Sequence, residues 1–401
     1  DAPNDSTMTW LDEARLDDAA ALEALDRKEA LRSLATSGAQ VRRSLLAARE
    51  AGIDSWSPQD RPRSVLVAAI GGSAVVADVL DLLAEPHSPV PVTTRHSAPL
   101  PGWVGPLDLV IAVSQSGRAA GPLALAHEAA RRGAQLLTIG AADSPLADVC
   151  ARARGTHVDL VSTASSTRTA LWSLLTPALY AAGRLGLVEV GEEVLESVAT
   201  LLEARAEECR PSSESFVNPA KDLAMAFSGV IPIVLADGPL AGVAGRRLAS
   251  GLARTARIPA THGTLPDAAA EVVACFDGPL AGAGRFGAPR GPDADIFADP
   301  YLDAPATLPL SLLLVRDASP DPSRLTRVEA DRVNLATAVA ESARDAGVKV
   351  REIEASAGAS LVRLASLMSL GDYAVTYAAL GLGVDPTDSP HVADLRRRTD
   401  H

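Results

Sequence analysis

The stretch SVLVAAIGGSAVVADVL, Ser64 to Leu80, decides how this chain is to be read. Ser64–Ile70 is a short apolar run, the pattern of a strand buried on both faces. It breaks at Gly71-Gly72-Ser73, and an apolar, helix-compatible run follows over Ser73–Ala84. A strand that enters a helix through two glycines lets backbone amides approach a ligand. Ser73 adds a hydroxyl, and the helix N-terminus adds partial positive charge. Such a turn can cradle a phosphate, although a tight strand-to-helix turn also favours these residues on steric grounds.

Downstream, LVIAVSQSGRAAGPLALAHEAARRGAQLLTIG, Leu109 to Gly140, repeats the device, with Ser114, Ser116 and Gly117 at a second switch from strand to helix. Two serine-bearing turns from adjacent parallel strands can converge on one anion at the carboxyl edge of a sheet. If the serines only cap the helices that follow, that coincidence has to occur twice. Strands and helices alternate onward: a strand over Ala134–Ile139, a short strand near Val158, and helices over Gly121–Arg132 and Arg168–Leu187. After a linking helix, Glu189–Glu208, a second round is expected. Its strands are Val230–Ala236, Leu308–Val315 and Val348–Ile353, and its helices Leu240–Ala256, Arg324–Asp345 and Ser360–Leu382. Alternation of this kind predicts an α/β chain with two tandem αβα sandwich modules, each a doubly wound parallel sheet. Residues 9–50, with Leu22, Leu25, Leu31, Leu34, Val41 and Leu45 near helical spacing, form an N-terminal helical lead-in. Gly278–Pro305, dense in Gly, Pro, Ala and Asp, reads as a surface loop. Its GAGRFG, Gly282–Gly287, matches GxGxxG but lacks the flanking strand and helix a dinucleotide site needs.

Composition narrows the function. The 401 residues exceed one ordinary core, and 47% hydrophobic residues suffice for buried parallel strands. A net charge of -13 with only 3% aromatics opposes nucleic-acid binding, which needs positive surface and stacking rings. Cys150, Cys209 and Cys275 are far apart and form no CxxC pair, so no zinc knuckle or disulfide framework is expected. The most apolar stretch, around Ala170–Gly183, is too short to span a bilayer, and no leader pattern opens the chain; a cytoplasmic, membrane-free protein is expected. No HxxH-like cluster or P-loop is present, so neither metal nor organic cofactor is implied.

On these motifs the chain resembles the bifunctional phosphoglucose/phosphomannose isomerases of the SIS (sugar isomerase) superfamily, most closely the diverged members found in actinobacteria. The likeness rests on the GGSAVVAD and SQSG turns, on Arg95 after a β-like run, and on Ser166-Thr167-Arg168-Thr169-Ala170-Leu171, where the family has a proline-arginine-alanine turn. It continues through Asn218-Pro219-Ala220-Lys221, Gly245-Arg246-Arg247-Leu248, Leu265-Pro266-Asp267, Leu370-Gly371-Asp372-Tyr373 with Tyr377-Ala378, and Gly383-Val384-Asp385-Pro386-Thr387. The resemblance implies that Gly72, Ser73, Ser114 and Ser116 bind phosphate and that Arg168 lines the same pocket, with Arg95 a further pocket candidate. A threonine after the second turn is replaced by Ala119, and the acidic residue after it by Ala120. The departures are larger in the second module. The family's glutamate base corresponds to Arg254, its ring-opening histidine is missing from Leu265–Glu271, and its late lysine corresponds to Arg396.

The implied organisation is a helical segment over 1–60, a first SIS module over 61–190, a linking helix over 191–214, a second SIS module over 215–384 and a tail over 385–401. The implied function is binding of a small-molecule sugar phosphate by a homodimer, with aldose–ketose isomerase catalysis weak or lost. The alternative is an active isomerase interconverting glucose 6-phosphate or mannose 6-phosphate with fructose 6-phosphate, using Glu271 or His262 as substitute catalytic groups. In themselves, His262 reads as an exposed loop histidine and Glu271 as a surface or ion-paired residue.

Overall fold

The computed structural model describes residues 10–160, 166–281, 308–318 and 326–399. The chain divides into two compact units. One is Asp26–Arg210 with Gly358–Ser369; the other comprises the described parts of Asp1–Leu25, Pro211–Ala357 and Leu370–His401.

In the first unit the strands β1 (Val65–Ala69), β2 (Val92–Arg95), β3 (Leu109–Ser114), β4 (Gln135–Gly140) and β5 (Thr156–Asp159) form one sheet in the order β2-β1-β3-β4-β5. Every pairing is parallel, with Val65 opposite both Val92 and Leu109, and Leu109 opposite Gln135. β1 and β3 are buried along their whole length. Continuous apolar runs are what a strand covered on both faces requires. On one face Leu66, Ala68, Val110, Ala112 and Leu136 pack with Leu125 and Ala129 of α6 (Ala120–Arg131) and with Leu146 and Val149 of α7 (Pro145–Arg152). On the other, Val65 and Ile111 meet Leu80 of α5 (Ala74–Ala84) and Ala182 of α8 (Leu171–Arg184) around a small apolar void. Having no polar lining, that void is a packing defect and not a ligand site.

The second unit holds β6 (Ile231–Asp237), β7 (Thr261–Thr264), β8 (Leu310–Arg316) and β9 (Lys349–Glu354), all parallel, in the order β7-β6-β8-β9. Ile233, Leu235, Leu312 and Leu314 face Val272 of α12 (Ala269–Cys275) and Ala336, Val339 and Ala340 of α13 (Arg327–Asp345). The opposite face carries α11 (Pro239–Gly251), where Gly245 lets the helix approach so closely that an added Cβ would lie 3.3 Å from the Ala236 methyl. Both sheets are therefore covered by helices on both faces, as the alternation predicts. α14 (Ser360–Gly381) supplies residues to both units, and α15 (Pro390–Thr399) ends the described chain.

The lead-in is helical, as expected: α1 (Glu13–Leu16), α2 (Ala19–Leu25), α3 (Ala30–Ala35) and α4 (Ser37–Glu50). It divides between the units. In the second, the Leu11 amide donates to Ser228 Oγ at 2.9 Å, and Asp17 accepts from the Ser215 amide and hydroxyl at 2.8 and 2.7 Å. In the first, Arg42 of α4 pairs with Glu196 and Glu203 of α9 (Glu192–Glu208). α10 (Pro219–Met225) starts at Asn218, whose Oδ1 caps the Ala220 and Lys221 amides.

Asp108, fully buried where β3 begins, accepts from Arg63 Nε (3.0 Å), Arg63 Nη2 (2.6 Å), Ser64 Oγ (2.8 Å) and the Gly105 amide (2.8 Å). Burial alone would push its carboxyl up, but these donors and the Arg63 charge outweigh it and hold the group below its ordinary 3.8. The unfolded state then takes up the proton first, so this contribution to stability is complete above the unfolded value and is lost as pH falls through the folded one. In an acid titration Asp108→Asn should unfold over a shallower pH range than the parent protein below pH ~4. Equal acid midpoints and slopes would refute this.

Candidate functional site

In the first sheet the chain leaves β1 toward β2 on one side and returns to β3 on the other, so the carboxyl ends of β1 and β3 flank the topological switch point. A crevice at that place is where open α/β sheets bind ligands. Both serine turns lie there. After β1, Gly71 (φ 69°) takes a left-handed conformation that suits glycine and turns the chain through Gly72 and Ser73 into α5. After β3, Gly117 (φ 63°) does the same, and a Cβ there would collide with the Ser144 side chain.

The turns converge. The Ser73 hydroxyl donates to the Ile70 carbonyl at 3.1 Å and reaches that of Val113, on the neighbouring strand, at 3.5 Å. Gly121 in the first turn of α6 leaves room for the Ile70 side chain. Ser114 Oγ accepts from the Ala119 amide at 3.4 Å, and Ser116 Oγ from the Arg118 amide at 3.2 Å. The serines of the second turn thus do brace it, but as acceptors, so their O–H groups remain able to donate to an anion. Ala119 is the N-cap of α6 and offers no side-chain oxygen.

A third segment, Ser166–Ala170, meets both turns. Thr167 Oγ1 donates to Gln115 Oε1 at 2.7 Å, and its Cβ lies 3.1 Å from where a Gly72 Cβ would stand. Arg168 follows directly, its amide donating to Ser166 Oγ at 3.2 Å. Gly72, Ser73, Ser114, Ser116 and the Arg168 segment are therefore brought to one edge of one sheet. Sequence reasoning missed Gln115 and Thr167 as groups joining the turns, and Ser144 as the buttress of Gly117. Only Ser144 carried a local signal, because a serine before a proline marks a helix start, here that of α7.

The other candidates stand on other elements. Arg95 ends β2, but its Nε is directed to its own loop, donating to the Ser97 and Pro99 carbonyls at 3.0 and 3.2 Å. In the second unit α11 continues into a π-helical turn, Leu252–Ala256, that carries Arg254, half-buried. Arg257 follows at φ 63° and donates to the Thr255 carbonyl (2.9 Å) and the Asp385 carbonyl (3.2 Å). Burial and the nearby Arg254 charge push its guanidinium down. Arg247 makes a two-pronged pair with Asp372 at 2.8 and 2.9 Å. Arg396 falls in α15, and its side chain lies outside the described residues, as does the GAGRFG string.

His262 is no exposed loop residue. It stands in β7, half-buried against α11, where an added Gly245 Cβ would lie 3.4 Å from its Nε2. Burial, then the Arg246 charge, push its imidazole down toward the neutral form. The sequence misled because THGT is too polar to read as a strand; pairing with β6 makes it one. Glu271 is exposed on α12, across the sheet from His262: an added Cβ at Gly263, one residue on, points to Ala268 and Val272 on the α12 side. The structure thus does not bring the two proposed substitute groups together.

The second sheet has its own switch point, between β6 and β8. Asp237 is buried there and pairs with Arg332 at 2.8 Å, while a Cβ on Gly238 would overlap the Arg332 guanidinium. Burial pushes the Asp237 carboxyl up, against the pull of Arg332 and Arg316. At this switch point an internal arginine packs against the turn that follows β6.

Residues 216–399 match the bacterial phospho-glucose isomerase C-terminal SIS domain. The bifunctional phosphoglucose/phosphomannose isomerase of Caldicellulosiruptor bescii is 22% identical over 334 residues, which is 83% of this chain and 88% of that protein. Among solved structures, a hypothetical protein from Thermus thermophilus superposes with a TM-score of 0.67 at 15% identity, covering 95% of this chain and 94% of that one. A glucose-6-phosphate isomerase like protein from the same organism gives 0.51 at 20% identity, covering 94% and 99%. The structural likenesses establish the two-module SIS fold. Residues 216–399 therefore carry a SIS domain of the bacterial phospho-glucose isomerase C-terminal kind, and the whole chain is similar to a bifunctional phosphoglucose/phosphomannose isomerase.

Proposed function

We propose that the protein binds a phosphorylated sugar at the paired serine turns of its first module and that isomerase catalysis there is weak or lost. The observation that carries the reading is the convergence of Ser73, Ser114, Ser116 and the Arg168 segment at the switch point of the first sheet. The Ser114 and Ser116 hydroxyls as donors, a helix N-terminus and an arginine suit a phosphate dianion, with Ser73 turning its hydroxyl from the Ile70 carbonyl to join them. The loss of an acid/base set rests on the family comparison, in which Arg254 stands at the glutamate position. Among the described residues no helix is long and apolar enough to cross a membrane, and we expect a cytoplasmic protein.

A sugar phosphate at one hundred times its dissociation constant should raise the unfolding free energy by about 2.7 kcal/mol, seen as a higher Tm. Ser73→Ala combined with Ser116→Ala should abolish that shift. A panel of hexose and pentose phosphates, sugar acids and amino sugar phosphates at millimolar concentration tests this by thermal shift, and no response from any of them refutes the site.

A homodimer is the expected assembly, because family members complete their pockets across a dimer interface. Light scattering is expected to give twice the 41.3 kDa chain mass; a concentration-independent monomer would overturn it.

A further inference from the structure

We infer that Thr167 is a positioning residue of the anion site, a latch that holds the Arg168 segment against both serine turns. The inference rests on the reading of those turns as a sugar-phosphate site. Its observation is that one side chain touches both: its hydroxyl donates to Gln115 Oε1 at 2.7 Å in the second turn. Its Cβ and Cγ2 stand 3.1 and 3.3 Å from the position of a Gly72 Cβ in the first. The segment is closed on itself by Thr169 Oγ1 donating to the Ser166 carbonyl at 3.1 Å. It is also fixed from behind, where buried Gln40 of α4 donates from Nε2 to the Thr169 carbonyl at 2.9 Å. Arg168 lies between the rear anchor and the front latch.

This arrangement has a physical purpose. An arginine loses much rotamer freedom when it engages an anion, so its backbone must be held by other contacts if binding is to be tight. A threonine has one strongly restricted torsion, and that lets it keep a methyl contact and a hydroxyl bond at once. Valine would retain the shape and lose the bond. Serine would retain the bond and lose only the methyl. Because the acceptor belongs to Gln115, between Ser114 and Ser116, the latch also fixes the second turn relative to the first. Thr167 touches no substrate in this account; it acts through Arg168 and the turns.

The test is the dissociation constant of fructose 6-phosphate, or of the tightest sugar phosphate in the panel, for the full chain by calorimetry. Thr167→Val and Gln115→Ala should each weaken binding about three- to tenfold, the range for loss of one net hydrogen bond. The double variant should be no weaker than either alone, since both remove the same bond. Thr167→Ser should stay within roughly twofold of the parent chain, and the ligand-free Tm of the four variants should fall by no more than about 2–4 °C. Binding by Thr167→Val at parent affinity, multiplicative effects in the double variant, or a Thr167→Ser as weak as Thr167→Val would each overturn the latch. Should Thr167→Val fail to fold, Gln115→Ala carries the same comparison from the other side. A parent chain that binds no sugar phosphate overturns the site itself, and the latch with it.

Discussion

Incubated with fructose 6-phosphate in deuterated water, the protein is expected to form aldose phosphate and to place deuterium at C2 far more slowly than the ~10 s⁻¹ of a median enzyme. Aldose–ketose exchange removes a proton from C1, passes through an enediol and returns a proton to C2. A positioned base whose pKa suits neutral pH supplies about 10²–10⁴-fold of such a rate. On the proposed family reading Arg254 takes the place of the base, and arginine stays protonated at any working pH. His262 lies against α11 while Glu271 is on the other side of the sheet, so the two do not form an acid/base pair in this fold. The serine turns can still hold the phosphate, but binding ground state and transition state equally well leaves the chemical step no faster. NMR detection of C2 deuteration decides the matter. Turnover near 10 s⁻¹ would sink the degenerate reading, and its loss in Glu271→Gln or His262→Ala would then identify the working group.

The second large effect is on stability. Lys221 is fully buried in the second unit, and its Nζ donates to the Pro211 and Ser213 carbonyls at 2.9 and 2.6 Å. It stands 3.5 Å from Asp17 Oδ1 and 5.5 Å from the centre of the Tyr377 ring. Burial pushes its ammonium down from the usual 10.5, only partly offset by the Asp17 charge and hydrogen bond. One cation therefore ties α1, the 211–215 loop, α10 and the last turns of α14 together. Lys221→Ala should cost about 2–5 kcal/mol, because it empties the space of a fully buried stem and leaves the Pro211 and Ser213 carbonyls without their donor. Lys221→Met keeps the volume of the stem and should cost less than half as much. Urea unfolding reads both as a lowered midpoint at unchanged slope. A Lys221→Ala midpoint within error of the parent would show that the carbonyls and Asp17 find other donors.

Much of this molecule is legible along the chain, and the reason is burial. β1, β3, β6 and β8 are covered on both faces, so their sequences are continuous apolar runs that need no partner to be recognised. Edge strands carry no such mark: Val92–Arg95 and Thr261–Thr264 are polar and only half-covered, and pairing with β1 and β6 makes them strands. The serine turns were readable for a related reason. A glycine in a left-handed turn beside a serine at a helix start is a local requirement, satisfied within a few residues at Gly71–Ser73 and again at Ser114–Gly117.

What joins those pieces is not local. Thr167 meets Gln115 and Gly72 across separations of 52 and 95 residues, and no spacing rule predicts a contact set by where three segments end on one sheet edge. The packing at the second switch point depends likewise on α13 delivering Arg332 onto Gly238. A lysine that reads as surface in any one-dimensional pattern becomes, among the described residues, the most deeply buried cation of its unit, because the carbonyls of a loop and an aspartate from the N-terminal helices converge on it. By itself the sequence determined the two α/β modules and the serine turns, since both follow from short-range burial and backbone constraints. Which polar side chains meet, only the tertiary packing decided, because hydrogen bonds and ion pairs form between whatever groups the sheet order and helix docking bring within about 3 Å of each other.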